Sequence, residues 1–271
     1  MVRAKKRLGQ HFLHHRAILE RIANALGPVP GDLVLEIGPG QGAFTEVLVR
    51  MGARVSAIEL DRELAPLVAQ RVPGVRVITG DALALDWRAV GGAGPGEALL
   101  VTGNIPYQIT SPLLAKALGP PLPRRIVFLV QEEVADRLSA DAGSADYGAL
   151  TVGVQVAARV EKLFRVPAGA FHPRPKVDSA VVRITPRETP LVPLPQAPVL
   201  RKLVVGLFGF RRKQLLRGMR ELTGWTAERV AGVLEQAGLD PASRPETVAP
   251  QAFVRLLGAL IDAGWSPGLV L

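Results

Sequence analysis

Between Leu33 and Gln131 short apolar runs alternate with longer amphipathic stretches, and few folds accommodate that order. The runs LVLEI, ARVSAIEL, VRVITG, ALLVTGN and RRIVFLVQ are interleaved with AFTEVLVRM, DRELAPLVAQRV and SPLLAKALG. Runs that are apolar on nearly every residue fit strands covered on both faces, and parallel neighbours need a crossover helix between them. The alternation therefore predicts an α/β fold, a doubly wound parallel sheet with helices on both sides. EEVADRLSA and ALTVGVQVAAR read as further helices, and EKLFRV and VDSAVVRI as closing strands that pair antiparallel at one edge.

The pattern ends abruptly. TPRETPLVPLPQAPV (Thr185 to Val199) carries Pro186, Pro190, Pro193, Pro195 and Pro198, too many for a helix or a central strand, and it reads as a stiff linker. Beyond it LRKLVVGLFGF, KQLLRGMREL, TAERVAGVLEQAG and PQAFVRLLGALIDAG are all helical. Before the sheet, HRAILERIANALG spaces Ile18, Ile22 and Leu26 every four residues ahead of Gly27, a helix with a glycine cap. The expected organisation is a basic arm over 1–16, an α/β domain over 17–185, a linker over 186–199 and a small all-helical domain over 200–271. No apolar run reaches membrane-span length and MVRAKKRLGQHF lacks the apolar core of a signal peptide, so a cytoplasmic protein without membrane association is expected. The absence of cysteine excludes disulfides, thiolate metal sites and cysteine nucleophiles together.

Charge narrows the partner. Lys and Arg number 33 against 24 Asp and Glu, a formal +9. The excess is concentrated in two acid-free blocks. One runs up to Glu20 with Arg3, Lys5, Lys6, Arg7 and Arg16; the other lies between Glu188 and Glu221 with Arg201, Lys202, Arg211, Arg212, Lys213, Arg217 and Arg220. Solvated faces would account for milder excesses, but blocks of one sign favour a surface that tracks phosphates. Lys5, Lys6, Arg7, Arg211, Arg212, Lys213, Arg217 and Arg220 are the candidate contacts, with Lys213, Arg217 and Arg220 spaced to share one helical face. His11, His14 and His15 sit close together, yet in a basic arm without cysteine they read as facing the polyanion, and no metal site is expected.

LEIGPGQGAF places Glu36, Gly38, Gly40 and Gly42 between a strand and a helix. Glycines there let the chain turn sharply and let a ligand approach the main chain. The spacing differs from the G-x-G-x-x-G dinucleotide fingerprint. Glu59 ends the second strand, where a carboxylate can accept both hydroxyls of a ribose, and Asp81 ends the third, where it can accept an adenine amine. These strand tips resemble the cofactor site of class I S-adenosylmethionine methyltransferases. That resemblance sets Gly38 and Gly40 against the methionine end, Glu59 on the ribose and Asp81 on the adenine. A nicotinamide dinucleotide remains the alternative, since Glu59 would suit its ribose as well.

The fourth strand tip discriminates. VTGNIPYQITSP ends an apolar run on Asn104, Ile105, Pro106 and Tyr107. The exocyclic nitrogen of adenine is a poor nucleophile because its lone pair is delocalised into the ring. An Asn side-chain oxygen and a backbone carbonyl can each accept one of its N–H bonds, which favours a more tetrahedral nitrogen. Pro106 offers no competing N–H and helps hold the Ile105 carbonyl. Tyr107 offers a face on which an extruded base can stack, worth ~1–3 kcal/mol. Positioning then supplies most of the rate.

NIPY resembles the [DNS]-x-P-[YF] motif of amino-group methyltransferases. With KKRLGQHFL, LEIGPGQGAFT, IELD, GDAL and FHPRPKVDSAVV, the chain resembles the KsgA family of small-subunit ribosomal RNA adenine dimethyltransferases. The resemblance implies a Rossmann-like methyltransferase sheet and S-adenosylmethionine as cofactor. It implies dimethylation of two adjacent adenosines in the 3′-terminal hairpin of 16S rRNA within the immature small ribosomal subunit; nothing in the sequence demands more than a monomer. It also implies that His11, Leu13, Gly38, Gly40, Glu59, Asp81 and Asn104 contact the cofactor, that Asn104 to Tyr107 form the catalytic loop, and that Phe171 is a second aromatic against the target base. The family reads Q-N-F where this chain has Gln10-His11-Phe12, so a side-chain contact at His11 is open while its backbone can still serve. Two other readings stand beside this one: the macrolide-resistance 23S rRNA methyltransferases share most of the motifs, and an assembly factor would depend more on the basic segments than on the pocket.

Overall fold

The computed structural model describes residues 4–266, apart from the side chains of Lys6, Tyr107 and Leu194. The chain divides into two compact units, residues 4–135 with 160–186 and residues 136–159 with 187–266. The division is therefore not linear along the chain: a segment that the sequence assigns to the α/β domain groups with the helical unit.

In chain order, β1 (Phe12–Leu13) and α1 (Arg16–Leu26) precede β2 (Leu33–Ile37), α2 (Ala43–Arg50), β3 (Arg54–Glu59), α3 (Leu64–Arg71) and β4 (Arg76–Thr79). Then come α4 (Trp87–Gly91), β5 (Leu99–Asn104), α5 (Thr110–Ala117), β6 (Arg125–Gln131), α6 (Glu132–Ser139) and α7 (Ala149–Gln155). β7 (Ala158–Val166), β8 (Phe171–His172) and β9 (Ser179–Pro186) complete the strands. Seven of them form one sheet in the order β4-β3-β2-β5-β6-β9-β7, and β1 pairs with β8 separately. The pairings β2–β3, β3–β4, β2–β5 and β5–β6 are parallel and β6–β9 is antiparallel, and the two closing strands β9 and β7 are neighbours at one edge, as expected.

All five residues of β2 are buried, which is what an unbroken apolar run requires between two helical layers. Successive strands run outward in opposite directions from β2 and β5, so the sheet has its topological switch point there. Their carboxyl ends diverge into a crevice. Gly103 pairs with Ile37 at that point, and a Cβ on Gly103 would lie 2.4 Å from the Ile37 carbonyl oxygen. Replacing Gly103 by alanine is expected to destabilise the protein by about 1–3 kcal/mol, because backbone rather than a pliable side chain must yield. Gly153→Ala, within α7 and with nothing inside 4 Å of its Cβ, is the control; thermal unfolding of both variants measures the difference.

The second unit holds α8 (Ala197–Phe208), α9 (Leu215–Thr223), α10 (Ala227–Gln236) and α11 (Pro250–Asp262). With Tyr147 and α7 they bury a separate core that includes Leu203, Leu207, Met219, Leu234, Phe253 and Leu256. The Tyr147 hydroxyl donates to the Val248 carbonyl at 2.6 Å, which satisfies a phenol that is 1% exposed. The proline-rich stretch is packed rather than free. Arg187 N–H and Leu191 N–H donate to the Ala157 and Val156 carbonyls, and Val192 is 2% exposed. The helix predicted over ALTVGVQVAAR stops at Gln155, and Ala158 already opens β7; its valines suit a strand as well as a helix. Among the described residues no helix is long and apolar enough to cross a membrane.

Candidate active site

The crevice at the switch point is a cavity of about 260 Å³. Its walls are residues 8–14, the loop after β2, and the ends of β3, β4 and β5. Gly38, Gly40 and Gly42 have φ of 70°, 57° and 79°, a left-handed path that glycine adopts without strain. Gly38 N–H donates to the Ile58 carbonyl at 2.9 Å, binding the turn to β3. A Cβ on Gly40 would lie 2.9 Å from Phe12 Cδ1, so the Phe12 ring rests on bare backbone.

Three carboxylates reach this wall. Glu59, 5% exposed, accepts Gly40 N–H through Oε2 at 3.0 Å and Asp61 N–H through Oε1 at 2.9 Å. Burial raises its pKa above the usual carboxylate range even though these bonds favour the ionised form. Asp81 is exposed at the rim, where its Oδ1 accepts Leu83 N–H at 2.8 Å and shapes the turn after β4. Glu36 is the deepest. It accepts the Thr45 hydroxyl at 2.6 Å, and burial pushes its pKa up to about 7, the Thr45 bond opposing and the Glu59 charge adding. The motif reading named Glu36 without giving it a role; its signal was a lone acid inside an otherwise apolar strand.

Asn104 stands at the end of β5. Its Nδ2 donates to the His11 carbonyl at 2.8 Å, which fixes the amide plane and turns Oδ1 the other way. Ile105 N–H donates to the Leu129 carbonyl at 3.0 Å, and the Ile105 side chain is 1% exposed. Among the described residues no hydrogen bond ends on the Ile105 carbonyl. Pro106, with φ of −56°, accepts Ile109 N–H at 3.1 Å. Asn104, Ile105 and Pro106 all line the cavity; the side chain of Tyr107 lies outside the described residues. His11 meets this wall through its backbone carbonyl, while its ring Nδ1 is 2.7 Å from the Pro173 carbonyl oxygen. Leu13 serves both the wall and the core.

Phe171, which spacing alone reads as a core aromatic and only the resemblance sets against the target base, is 4% exposed among Leu13, Leu19 and Ile22, and its backbone pairs with Leu13. Several expectations need correction. Lys5 is not available to phosphate: its ammonium lies 2.7 Å from Asp61 Oδ1 and 3.0 Å from Glu63 Oε1. Arg211 is likewise committed, to Glu246 at 2.8 Å and to the Ala145 carbonyl at 2.7 Å. Lys213 precedes α9, with its ammonium 5.0 Å from the centre of the Phe210 ring, so only Arg217 and Arg220 share that helix. Arg212, Arg217, Arg220 and Arg7 are exposed, whereas Arg3 and the side chain of Lys6 lie outside the described residues. Among those residues no group of His, Asp or Glu is arranged to hold a metal.

Comparison with known proteins matches this architecture from end to end. The profile of the ribosomal RNA adenine dimethylase family matches residues 1–255. The chain is 42% identical over 264 residues to ribosomal RNA small subunit methyltransferase A of Pseudomonas putida, covering 96% of each chain. It is 41% identical over 272 residues to the protein of that name in Myxococcus xanthus, covering 98% of this chain and 95% of that one. A dimethyladenosine transferase from Plasmodium falciparum superposes with a TM-score of 0.78 at 27% identity, over 94% of this chain and 98% of that one. The 23S rRNA methyltransferase ErmE superposes with a TM-score of 0.72 at 28% identity, over 92% and 99%.

Proposed function

The chain belongs to the ribosomal RNA adenine dimethylase family, and from that membership we propose that it converts two adjacent adenosines in the 3′-terminal hairpin of 16S rRNA to N6,N6-dimethyladenosine during small-subunit maturation. It is an rRNA methyltransferase that uses S-adenosylmethionine, which removes the nicotinamide reading. It acts, on this proposal, as a cytoplasmic monomer on the immature subunit. The full-length likeness to small-subunit enzymes at 41–42% identity, against 28% for the 23S enzyme, supports the 16S target.

The cavity fits the donor. A cleft walled by Glu36, Glu59, Asp81 and glycine backbone complements a molecule with ribose hydroxyls, an adenine amine and a cationic amino end. In this reading Glu59 holds the ribose, Asp81 the adenine amine, and Glu36 lies toward the cationic end. When bound, S-adenosylmethionine supplies a methyl group on a positively charged sulfur. The observation that carries the reading is the Asn104 amide, clamped by its NH₂ to the His11 carbonyl at 2.8 Å. In this reading its Oδ1 and the Ile105 carbonyl accept the two N–H bonds of an extruded adenine amine. Those bonds draw the nitrogen lone pair out of ring conjugation and toward the methyl. After transfer the surplus proton leaves to water.

The test is direct. Undermethylated small subunits and naked 23S RNA are each incubated with the protein and radiolabelled donor, and the modified nucleotides are mapped. Dimethyladenosine confined to adjacent positions of the 16S 3′ hairpin is expected; label in 23S RNA alone overturns the assignment.

A further inference from the structure

Residues 5–14 form a strap across the cavity, contributing much of one wall, and the strap is fastened on two sides. On the β5 side, the Asn104 amide donates to the His11 carbonyl at 2.8 Å. On the β3 side, the buried Asp61 carboxylate takes both Lys5 and Gln10, and the exposed Glu63 adds a second contact to the Lys5 ammonium at 3.0 Å. Asp61 Oδ1 takes the Lys5 ammonium at 2.7 Å, and Oδ2 takes the Gln10 amide at 2.9 Å. Gln10 Oε1 in turn accepts Lys5 N–H at 2.8 Å, closing the ring of contacts. The Asp61 side chain is 1% exposed, against 25% for Lys5. Asp61 is also two residues from Glu59, whose Oε1 accepts Asp61 N–H at 2.9 Å. Asp61 itself is not part of the cavity wall.

We propose that Asp61 is a positioning residue: by holding Lys5 and Gln10 it keeps the strap closed, so that the His11 carbonyl locks the Asn104 amide with Oδ1 facing the target amine. The proposal rests on the catalytic reading of Asn104 and adds a latch to it. An anchor of stability alone would have no reason to act on Asn104. Here the same ten residues join the latch to the catalytic amide, and a buried carboxylate gathers a charge-assisted bond and an amide bond from the N-terminal half of the strap, whose C-terminal half is held separately by the β1–β8 pairing, the buried Leu13 side chain and the His11–Pro173 contact. Opening the strap gives the cofactor a path out and frees the Asn104 amide to rotate, so one loss appears in two kinetic constants.

The variant Asp61→Asn keeps the shape and removes the charge. Hydrogen exchange of the peptide spanning residues 4–13 is measured in the free protein and with S-adenosylhomocysteine, alongside calorimetric affinity and steady-state kinetics. Exchange of that peptide is expected to rise at least tenfold in the free variant, with KM for the donor up about tenfold and kcat down as well. Gln10→Ala, which leaves the Lys5–Asp61 pair in place, should show the same pattern more weakly and serves if Asp61→Asn folds poorly. Lys5→Met combined with Asp61→Asn should cost less than the sum of Lys5→Met and Asp61→Asn taken singly, the signature of a shared interaction, with the Lys5–Glu63 contact accounting for any remainder. Unchanged exchange and unchanged KM in both single variants overturn the latch, whatever their turnover. A wild-type protein that fails to bind S-adenosylhomocysteine would instead count against the cofactor assignment, which the exchange measurement on free protein does not need.

Discussion

Replacing Asn104 by alanine is expected to lower methyl transfer by about 10²–10³-fold, the range seen when one preorganised hydrogen-bonding group is removed from a developing charge. The adenine amine is not made reactive by a base in this site; it is made reactive by geometry. Alanine removes the oxygen that accepts one N–H, and the remaining acceptor, the Ile105 carbonyl, cannot by itself pull the nitrogen out of conjugation. Cofactor affinity should fall far less than the rate, since Glu36, Glu59 and Asp81 line other parts of the cavity and Asp61 still fastens the strap on the β3 side when the His11 tie is lost. Asn104→Asp separates orientation from mere oxygen count. It keeps an acceptor but cannot donate to the His11 carbonyl, which it would face at about 2.8 Å with negative charge. It should therefore be nearly as impaired as alanine. Single-turnover rates at saturating RNA, with binding of S-adenosylhomocysteine measured separately, decide the matter. Full turnover in the alanine variant would leave the proposed mechanism without its centre.

Which parts of this arrangement are legible from sequence follows from the range of the interactions involved. The strands β2, β3, β5 and β6 announce themselves, because burial on both faces forces a nearly continuous apolar run of strand length bounded by turn residues, whereas β4, at the sheet edge with no buried residue, is legible only from its place in the alternation. The glycine turn and the acids at strand tips are legible for the same local reason. β1 and β8 were not foreseen: each is two residues long, and Leu13 meets Phe171 only through the tertiary fold. That pairing also accounts for the burial of Phe171, which its spacing alone already suggested. Lys5 looked like a free cation because its partners, Asp61 and Glu63, are more than fifty positions away. Arg211 misled in the same way, with Glu246 beyond two intervening helices. Charge blocks read along the chain overcount free cations whenever the compensating acid arrives from a distant element. Gly103 illustrates the converse: an ordinary strand glycine in sequence, it proves to be the point where two backbones leave no space for a Cβ.

Glu36 should make the protein's stability fall as pH rises from about 4.5 to 7. Its ordinary pKa is 4.5 and its pKa in the folded chain is about 7. In that window the folded state keeps a proton that the unfolded chain has released, so raising the pH favours unfolding. The stabilisation from the protonated group is complete below the unfolded value and lost as pH passes the folded one; a shift of this size corresponds to about 3 kcal/mol. Glu36→Gln preserves a neutral partner for the Thr45 hydroxyl and should remove that slope, making the variant the more stable form above pH 7. Urea unfolding midpoints at half-unit intervals from pH 5 to 8 measure it, and parallel slopes in the two proteins would show that Glu36 does not titrate in this range. The same group links stability to ligand. A cationic amino end arriving near Glu36 lowers its pKa, so binding of S-adenosylhomocysteine at pH 6 should release a fraction of a proton, visible as a heat that varies with buffer ionisation enthalpy. In Glu36→Gln that dependence should vanish while binding persists. A buried acid that holds a proton until its ligand arrives costs the empty protein less than an unpaired charge would, and it supplies that charge when the ligand is bound.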